Sequence, residues 1–140
     1  MIVMDFNKTT VRIMVQKDYA ACFDFYTEKL GLVPVWEYSV GDKNGPYTTL
    51  AAKEGGEPCL AIFNGKMMSA YKGYTLPSGT TPTDTIEFCI PCDNIDEDYK
   101  RLKEAGVEFI GEPQTIEDWA MRCVYFRDPE GNLLELSSDI

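Results

Sequence analysis

Hydrophobic and polar residues alternate along two segments of the chain, residues 9–16 and 84–91, and this alternation predicts half-buried β-strands. In each segment the apolar positions would face the core, and the positions between them would face the other side of the sheet. The apolar positions are Val11, Ile13, Val15, Ile86, Phe88 and Ile90. The intervening positions are Thr10, Arg12, Met14, Thr85, Glu87 and Cys89.

A helical period follows each of these two strands. Asp18 stands where a helix N-cap belongs, apolar residues recur behind it at helical spacing, and Gly31 marks the C-terminal end. The second helix has Asp93 or Asn94 as its cap and ends at the Ala-Gly pair of residues 105–106. Each half of the chain therefore contains one predicted helix.

Six further apolar segments, separated by turn residues, predict the remaining strands. They cover residues 32–40, 47–53, 58–63, 107–110, 120–126 and 133–137. Both halves then share the order β-α-β-β-β, which indicates an internal duplication of roughly 60 to 70 residues. We predict one domain over residues 1–140, with module one over about 9–64, a linker over about 65–82 and module two over about 83–138. Part of the linker is expected to pack down, because it holds Met67, Met68, Tyr71 and Tyr74.

The last predicted hairpin carries a charge that requires an explanation. Residues 127–132 are dense in turn chemistry, since Pro pre-sets φ and both Gly and Asn tolerate the left-handed region. Glu135 lies within the apolar strand that follows this turn. A carboxylate in such a strand is costly unless its face meets water, a partner or a ligand.

Composition indicates an ordinary globular protein. Of the 140 residues, 44% are hydrophobic and 26% are charged, which suits one domain with a real core. No apolar run approaches the roughly 20 residues of a membrane span, and no signal-peptide pattern is visible. The five Cys are an odd number and lack the spacing of a disulfide framework, which favours free thiols in a reducing cytoplasm. The C-x-x-C segment of residues 89–92 ends a strand instead of opening a helix, which argues against redox or zinc use.

The net charge and the absence of one residue type limit the functions that the protein could have. A net charge of −10 argues against binding to nucleic acid or to anionic membranes. The same acidity would favour a cationic small molecule, although it would equally serve solubility alone. The sequence contains no His, which removes the commonest metal ligand, the commonest general base and every imidazole-dependent nucleophile.

Motifs in both halves resemble the glyoxalase / bleomycin-resistance / dioxygenase superfamily, also called vicinal oxygen chelate proteins. The matching segments are residues 15–18, 25–26, 30–32, 105–107, 119–122 and 128–135. The resemblance covers nearly the whole chain, and the Asp-Pro-Glu-Gly-Asn-Leu-Leu-Glu motif of residues 128–135 is specific. It implies an α+β fold in which two βαβββ modules form a U-shaped groove, in a homodimer.

The resemblance also implies where metal-dependent members would hold a divalent ion. The positions on the first and last strands of the modules fall on Thr10, Ala61, Thr85 and Glu135. One carboxylate and two hydroxyls do not assemble a normal metal site, and adding Glu87 would still supply no nitrogen ligand. We therefore expect no metal and no other cofactor, and Glu135 would be the remaining acid of a lost metal site.

Residue parity predicts which side chains line the groove. Aromatic walls with few charges are the usual composition of a small-molecule pocket. The predicted ligand-binding residues are Thr10, Arg12, Trp36, Tyr38, Phe63, Thr85, Glu87, Trp119 and Arg122, and the candidate catalytic residue is Glu135. The plainer interpretation is an ion pair of Glu135 with Arg12 or Arg122, with the aromatic residues packed at a dimer interface.

Three functions follow from these observations. The first is a metal-free binding protein of the bleomycin-resistance type that sequesters a drug or metabolite, cationic or aromatic, in the groove. The second is a glyoxalase-like lyase or isomerase, or a dioxygenase, with an altered metal site and Glu135 as acid or base. The third is an accessory module whose groove is filled by its own Met67, Met68 or Tyr71. We expect the first, in a cytoplasmic homodimer with no nucleic-acid or membrane partner.

Overall fold

The computed structural model of the chain describes residues 4–74, 84–127 and 129–140. Contacts between residues divide the chain into a first unit, Thr10–Met67, and a second unit, Met1–Thr9 together with Met68–Ile140. Residues 75–82 of the predicted linker and Asp128 of the predicted turn lie outside the described residues. Within the described part of the chain, no helix is long and apolar enough to cross a membrane.

The first unit is a sheet with one helix packed on it. Its elements are β1 (Thr10–Val15), α1 (Tyr19–Asp24), a π-helical turn (Phe25–Lys29), β2 (Val33–Pro34), a 3-10 turn (Trp36–Tyr38), β3 (Val40–Asp42), β4 (Gly45–Ala51) and β5 (Pro58–Asn64). The strand order is β2–β4–β5–β1, and β3 also pairs with β4. β1 and β5 are parallel, whereas the other pairs are antiparallel.

The helix of the first unit begins and packs as the sequence predicts. The Asp18 carboxylate accepts a hydrogen bond from the Ala21 amide at 3.0 Å, which satisfies a free N–H of the first turn. α1 covers a core whose buried residues are Tyr19, Phe23, Leu50 and Ile62. Ile13 and Val15 pack against the same core, which confirms the predicted core face of β1.

The predicted single strand over residues 32–40 is wrong. The chain there forms the two-residue β2, then the 3-10 turn, then β3. Pro34 has no N–H with which to continue a ladder, and the Ser39 hydroxyl donates to the Val35 carbonyl at 2.7 Å, which closes the turn. Trp36 and Tyr38 therefore do not project from one face of a strand.

The second unit repeats the plan of a sheet and one helix. Its elements are a 3-10 turn (Phe6–Lys8), β6 (Ile86–Pro91), α2 (Ile95–Glu104), β7 (Phe109–Ile116), a 3-10 turn (Glu117–Trp119), β8 (Met121–Arg127) and β9 (Leu133–Asp139). A 3-10 segment, Gly65–Ala70, leads into it along the chain. The strand order is β6–β9–β8–β7, and only β6 and β9 are parallel among these neighbours. The predicted final hairpin and the Asn94 cap of α2 are confirmed.

α2 covers only part of this second sheet. The buried residues of the core beneath it are Ile90, Cys92, Ile95, Val124 and Leu136. Ile86 and Phe88, which share the predicted core face of β6, are instead 51% and 39% exposed. α2 packs on β7, β8 and β9, so the first residues of β6 extend beyond the surface that the helix covers.

The C-x-x-C segment places its two thiols on opposite faces of the second sheet. Cys89 Sγ lies 3.2 Å from Ser137 Oγ, whereas Cys92 packs in the core beneath α2. Burial raises the pKa of the Cys92 thiol to about 12, and the nearby Asp98 carboxylate adds to the shift. Thiols that point to opposite faces cannot form a disulfide without backbone movement, and so high a pKa suppresses thiolate reactivity.

Candidate functional site

Two carboxylates lie buried on one face of the sheet of the second unit. The parallel register of β6 and β9 sets Glu87 beside Leu133 and Cys89 beside Glu135, so these side chains project from the same face. Both glutamates are 0% exposed. The predicted common face of Glu87 and Glu135 is therefore confirmed.

Tyr125 orients the Glu135 carboxylate. It lies directly opposite Glu135 in the antiparallel pair of β8 and β9, and its hydroxyl donates to Glu135 Oε1 at 2.8 Å. We call Glu87, Tyr125 and Glu135 the acid cluster. Sequence reasoning named both glutamates but missed Tyr125, although counting back through the hairpin from Glu135 would have found it.

A residue from the connection after β5, Tyr71, packs against the acid cluster. The Tyr71 ring meets the Tyr125 ring edge-on, with centroids 4.8 Å apart, and both Tyr71 and Met68 are buried. Burial raises the pKa of Tyr71 to about 12. The prediction that part of the linker packs down is confirmed for these two residues, and the acid cluster is enclosed instead of open.

Three predicted ligand-binding residues of the second unit are not members of the acid cluster. Arg122 projects from the opposite face of β8, lines a separate open cleft of about 540 Å³ and donates to both carboxylate oxygens of Asp96 at 2.7 and 3.0 Å. Trp119 is half-buried at the end of its 3-10 turn, and Thr85 is exposed ahead of β6. An ion pair of Arg122 with Glu135 is thus wrong, because alternate residues of β8 face opposite ways.

Three predicted residues of the first unit lie on the sheet face opposite α1. The Arg12 guanidinium is half-buried and lies 5.4 Å from the centroid of the Tyr47 ring, in cation–π geometry. Phe63 is buried and tilted against the same ring, with centroids 6.4 Å apart. Thr10 begins β1 on this face and is half-buried. Tyr47 therefore joins Arg12 and Phe63 into one layer.

The aromatic residues Trp36 and Tyr38 border a cleft on the first unit. Its volume is about 450 Å³, within the range of small-molecule sites. Trp36 is 49% exposed and Tyr38 is 61% exposed. We call this cavity the Trp36 cleft; it is lined by Val33, Pro34, Val35, Trp36, Glu37, Tyr38 and residues 53–58.

Hydrogen bonds and stacking hold the aromatic wall of the Trp36 cleft. Ser39 Oγ, which closes the 3-10 turn, accepts from the Thr49 amide at 2.9 Å. Thr49 Oγ1 donates to the Tyr38 carbonyl at 2.7 Å. The Trp36 ring stacks on Phe23 of α1, with centroids 5.9 Å apart and an interplanar angle of 24°. The two aromatic side chains, each about half exposed, therefore project from a backbone that hydrogen bonds tie to β4.

Acidic residues outnumber basic ones around the Trp36 cleft. Glu37, Glu54 and Glu57 line it together with a single ammonium group, that of Lys53. Negative charge beside an aromatic face attracts organic cations. Sequence reasoning treated residues 54–56 only as a turn, because nothing local to a Glu-Gly-Gly segment indicates which aromatic residues it will face.

The metal ion implied for this fold does not fit the residues present. Ala61 has no donor atom, Thr85 is exposed outside β6, and the Glu135 carboxylate is engaged by Tyr125. Among residues 4–74, 84–127 and 129–140, no three His, Cys, Asp or Glu side chains group as a metal ion would require. The donor set therefore lacks the several imidazole or carboxylate ligands of such sites.

Several known proteins resemble this chain over nearly its whole length. YetH, an uncharacterized protein of Bacillus subtilis (strain 168), is 31% identical over 127 residues, which cover 91% of this chain and 93% of YetH. A glyoxalase/bleomycin resistance protein/dioxygenase superfamily member from Vibrio splendidus 12B01 shares the fold with a TM-score of 0.56, at 16% identity and with 95% and 98% of the two chains covered. The structure of Streptomyces coelicolor methylmalonyl-CoA epimerase shares the fold with a TM-score of 0.59, at 14% identity and with 99% and 98% of the two chains covered.

The match to a protein family covers both units. The model of the Glyoxalase/Bleomycin resistance protein/Dioxygenase superfamily matches residues 8–136. The α+β class, rich in strands and with few helices, is the one that the sequence motifs imply. This chain belongs to the Glyoxalase/Bleomycin resistance protein/Dioxygenase superfamily.

Proposed function

We propose that this protein is a metal-free binding protein of the bleomycin-resistance type, which sequesters a planar organic cation in the Trp36 cleft. The observation that carries the proposal is the pair of half-exposed aromatic side chains, Trp36 and Tyr38, held on a hydrogen-bonded turn within an acidic rim. Aromatic residues that are left exposed on a rigid support can bind a ligand without first losing conformational freedom.

The chemistry of the cleft favours a cation over an anion. A cation over an indole ring gains about 0.5 to 2 kcal/mol, and the carboxylates of Glu37, Glu54 and Glu57 add attraction of the same sign. The net charge of −10 acts in the same direction at longer range. A planar anion of equal size would gain the stacking but meet repulsion from the rim.

The test uses proflavine as a planar cation and 1-naphthalenesulfonate as a planar anion. The protein has two Trp residues, so the variant Trp119→Phe leaves Trp36 as the single indole reporter. We expect proflavine to quench Trp36 fluorescence saturably, and the dye's own emission should give the same dissociation constant in the unsubstituted protein. Trp36→Ala should weaken binding of proflavine about tenfold, equivalent to about 1.4 kcal/mol.

Two control variants distinguish binding in the Trp36 cleft from nonspecific attraction of the cation to an acidic protein. The double variant Glu54→Gln, Glu57→Gln should weaken proflavine binding and make it less sensitive to salt. The double variant Glu97→Gln, Glu104→Gln removes the same charge from exposed positions of α2 in the second unit and should leave binding in place. Equal affinity for naphthalenesulfonate, or unchanged proflavine binding in Trp36→Ala, would contradict the proposal.

A second candidate function is proton transfer at the acid cluster, as in a glyoxalase-like lyase or isomerase. The observation that favours it is the pair of buried carboxylates on one face, one of them oriented by a tyrosine hydroxyl 2.8 Å away. A carboxylate held in this way is a candidate general acid or base. Its burial beside Tyr71 requires the enclosing residues to move before a substrate can reach it.

This second candidate is tested with the hemithioacetal of methylglyoxal and glutathione in deuterated water. Enzymatic proton transfer would incorporate deuterium into the product, with and without added nickel, zinc or iron. The rate should vanish in Glu135→Gln and persist in Trp36→Ala. The opposite dependence on the two variants, or no turnover under any condition, would remove this candidate.

A further inference from the structure

The outer edge of the second sheet contains an irregularity beside Tyr125. Ile110 lies opposite Tyr125, and Gln114 lies opposite Cys123. Three residues of β7, numbers 111–113, therefore face the single residue Val124 of β8. Such a bulge interrupts the ladder and leaves backbone groups that need other partners.

The hydroxyl of Tyr71 occupies the gap in this ladder. It accepts from the Tyr125 amide at 3.3 Å and donates to the Ile110 carbonyl at 2.5 Å, with the Glu112 carbonyl 3.1 Å away. The side chain thus joins β7 to β8 where the main chain does not. A buried N–H that loses its partner costs about 1 to 3 kcal/mol, so this hydroxyl holds the backbone of Tyr125 in position.

A second clamp holds the segment that carries Tyr71. The Lys72 amide donates to Gln114 Oε1 at 2.9 Å, and Gln114 Nε2 donates to the Lys72 carbonyl at 2.9 Å. Gly111 adopts φ +72, and a side chain there would meet Lys72 O at 3.2 Å and the Tyr71 hydroxyl at 3.4 Å. The bulge is therefore shaped to receive residues 71 and 72.

The ring of Tyr71 acts on the other end of Tyr125. Its edge-on contact with the Tyr125 ring, at 4.8 Å between centroids, limits the directions in which the Tyr125 phenol can point. The same phenol donates to Glu135 Oε1. Tyr71 thus holds both the backbone and the ring of the residue that orients Glu135.

We propose that Tyr71 is a positioning residue for Glu135 and acts through Tyr125. The hydroxyl of Tyr71 at the bulge fixes the Tyr125 backbone, and its ring fixes the Tyr125 side chain. This role is independent of the proposed binding function, because the Trp36 cleft lies in the first unit. It applies to whatever group Glu135 contacts.

The test is NMR spectroscopy of the full chain with Tyr71→Phe, which removes the hydroxyl and keeps the ring. We expect amide hydrogen exchange of Tyr125 to accelerate about tenfold or more relative to Leu136, and the 13C resonance of the Glu135 carboxyl group to move. In a Tyr125→Phe background the same substitution should no longer move that resonance. This last comparison distinguishes positioning through Tyr125 from a merely structural role.

Two further variants keep the test decisive. Tyr99→Phe removes a hydroxyl whose partner is Lys103 on α2, and it should leave both Tyr125 exchange and the Glu135 resonance unchanged. Gln114→Ala loosens only the outer clamp and should produce a smaller change of the same kind, which serves if Tyr71→Phe does not fold. An unmoved Glu135 resonance in the folded variants, or an equal movement without the Tyr125 hydroxyl, would overturn the proposal.

Discussion

The acid cluster and the Trp36 cleft differ in what their polar and aromatic groups contact. In the acid cluster, Glu135 is fully buried and accepts from Tyr125, which is packed against Tyr71. In the Trp36 cleft, the polar contacts lie behind the aromatic wall, in the backbone of Tyr38 and the side chain of Ser39. The faces of Trp36 and Tyr38 remain about half exposed.

This difference indicates which interactions each region reserves for a ligand. Groups that already satisfy one another contribute to stability, and exposing them for a ligand would cost that stability. Aromatic surface that is rigid and exposed contributes little to folding and is available for binding. Substitutions should therefore change stability more than binding in the acid cluster, and binding more than stability in the Trp36 cleft.

The largest expected effect is a loss of stability in alkali. It tests whether buried hydroxyl groups contribute to folding stability. Burial raises the pKa of both Tyr19 and Tyr71 to about 12, from an ordinary value of 10.0. Each tyrosine therefore contributes stability that is complete below pH 10 and is lost as the pH rises towards 12. The expected loss is about 1.4 kcal/mol per pH unit for each tyrosine, measured as the free energy of urea unfolding between pH 8 and 11.

Phenylalanine variants measure how much of this alkaline loss each of the two tyrosines contributes. Tyr19→Phe and Tyr71→Phe should each reduce the slope of stability against pH above pH 10, although each lowers stability at neutral pH by removing hydrogen bonds. Tyr38→Phe, which removes the hydroxyl of a residue that is 61% exposed, is the matched control. An unchanged slope in both buried variants would show that the two hydroxyls are not protected by folding.

The next effect concerns the acid cluster itself. Tyr125→Phe removes the donor to Glu135 while keeping the ring against Tyr71. A buried acceptor that loses its hydrogen-bond partner costs about 1 to 3 kcal/mol, so we expect the free energy of unfolding at pH 7, measured by chemical denaturation, to fall by about 2 kcal/mol. Proflavine affinity should stay within about twofold, whereas a large loss of affinity would show that the two regions are coupled.

The predictable part of the fold rests on local chemistry and on parity. Asp18 and Asn94 begin their helices because a side-chain oxygen satisfies a free amide of the first turn, and this can be recognised from sequence alone. Alternation placed Glu87 and Glu135 on one face because the side-chain period of a strand is two. Both inferences require only neighbours along the chain.

The unpredicted part depends on partners that are distant in sequence. The turn over residues 36–38 exists because Pro34 ends β2 and Ser39 bonds to Val35 and Thr49, the last of which lies ten residues further along. β7 extends to Ile116 through a bulge that a tyrosine from another segment completes. Gly111 and Pro113 look like a strand end in the sequence, so the predicted strand stopped at residue 110.

A smaller effect tests whether rigidity of the aromatic wall matters for binding. Ser39→Ala removes one bond to the Val35 carbonyl and one from the Thr49 amide. Net loss of such bonds costs about 1 kcal/mol of unfolding free energy. Proflavine affinity should fall several-fold, because the turn must then be ordered on binding. Unchanged affinity together with reduced stability would show that preorganisation of this wall contributes nothing to the site.

The smallest effect concerns Arg122, a predicted ligand residue that pairs with Asp96 instead. The Asp96 side chain is 62% exposed and that of Arg122 is 30% exposed, so the pair should contribute only about 0.2 to 1 kcal/mol. Hydrogen bonding to Arg122 lowers the pKa of Asp96; its contribution is present above pH 4 and is lost as the pH falls below that value. Arg122→Gln should therefore be slightly less stable at pH 7 in low salt, and its difference from the unsubstituted protein should shrink as the pH falls below 4 and in 1 M NaCl. Its proflavine affinity should be unchanged. A tenfold loss of affinity would show that proflavine binds in the second unit and not in the Trp36 cleft.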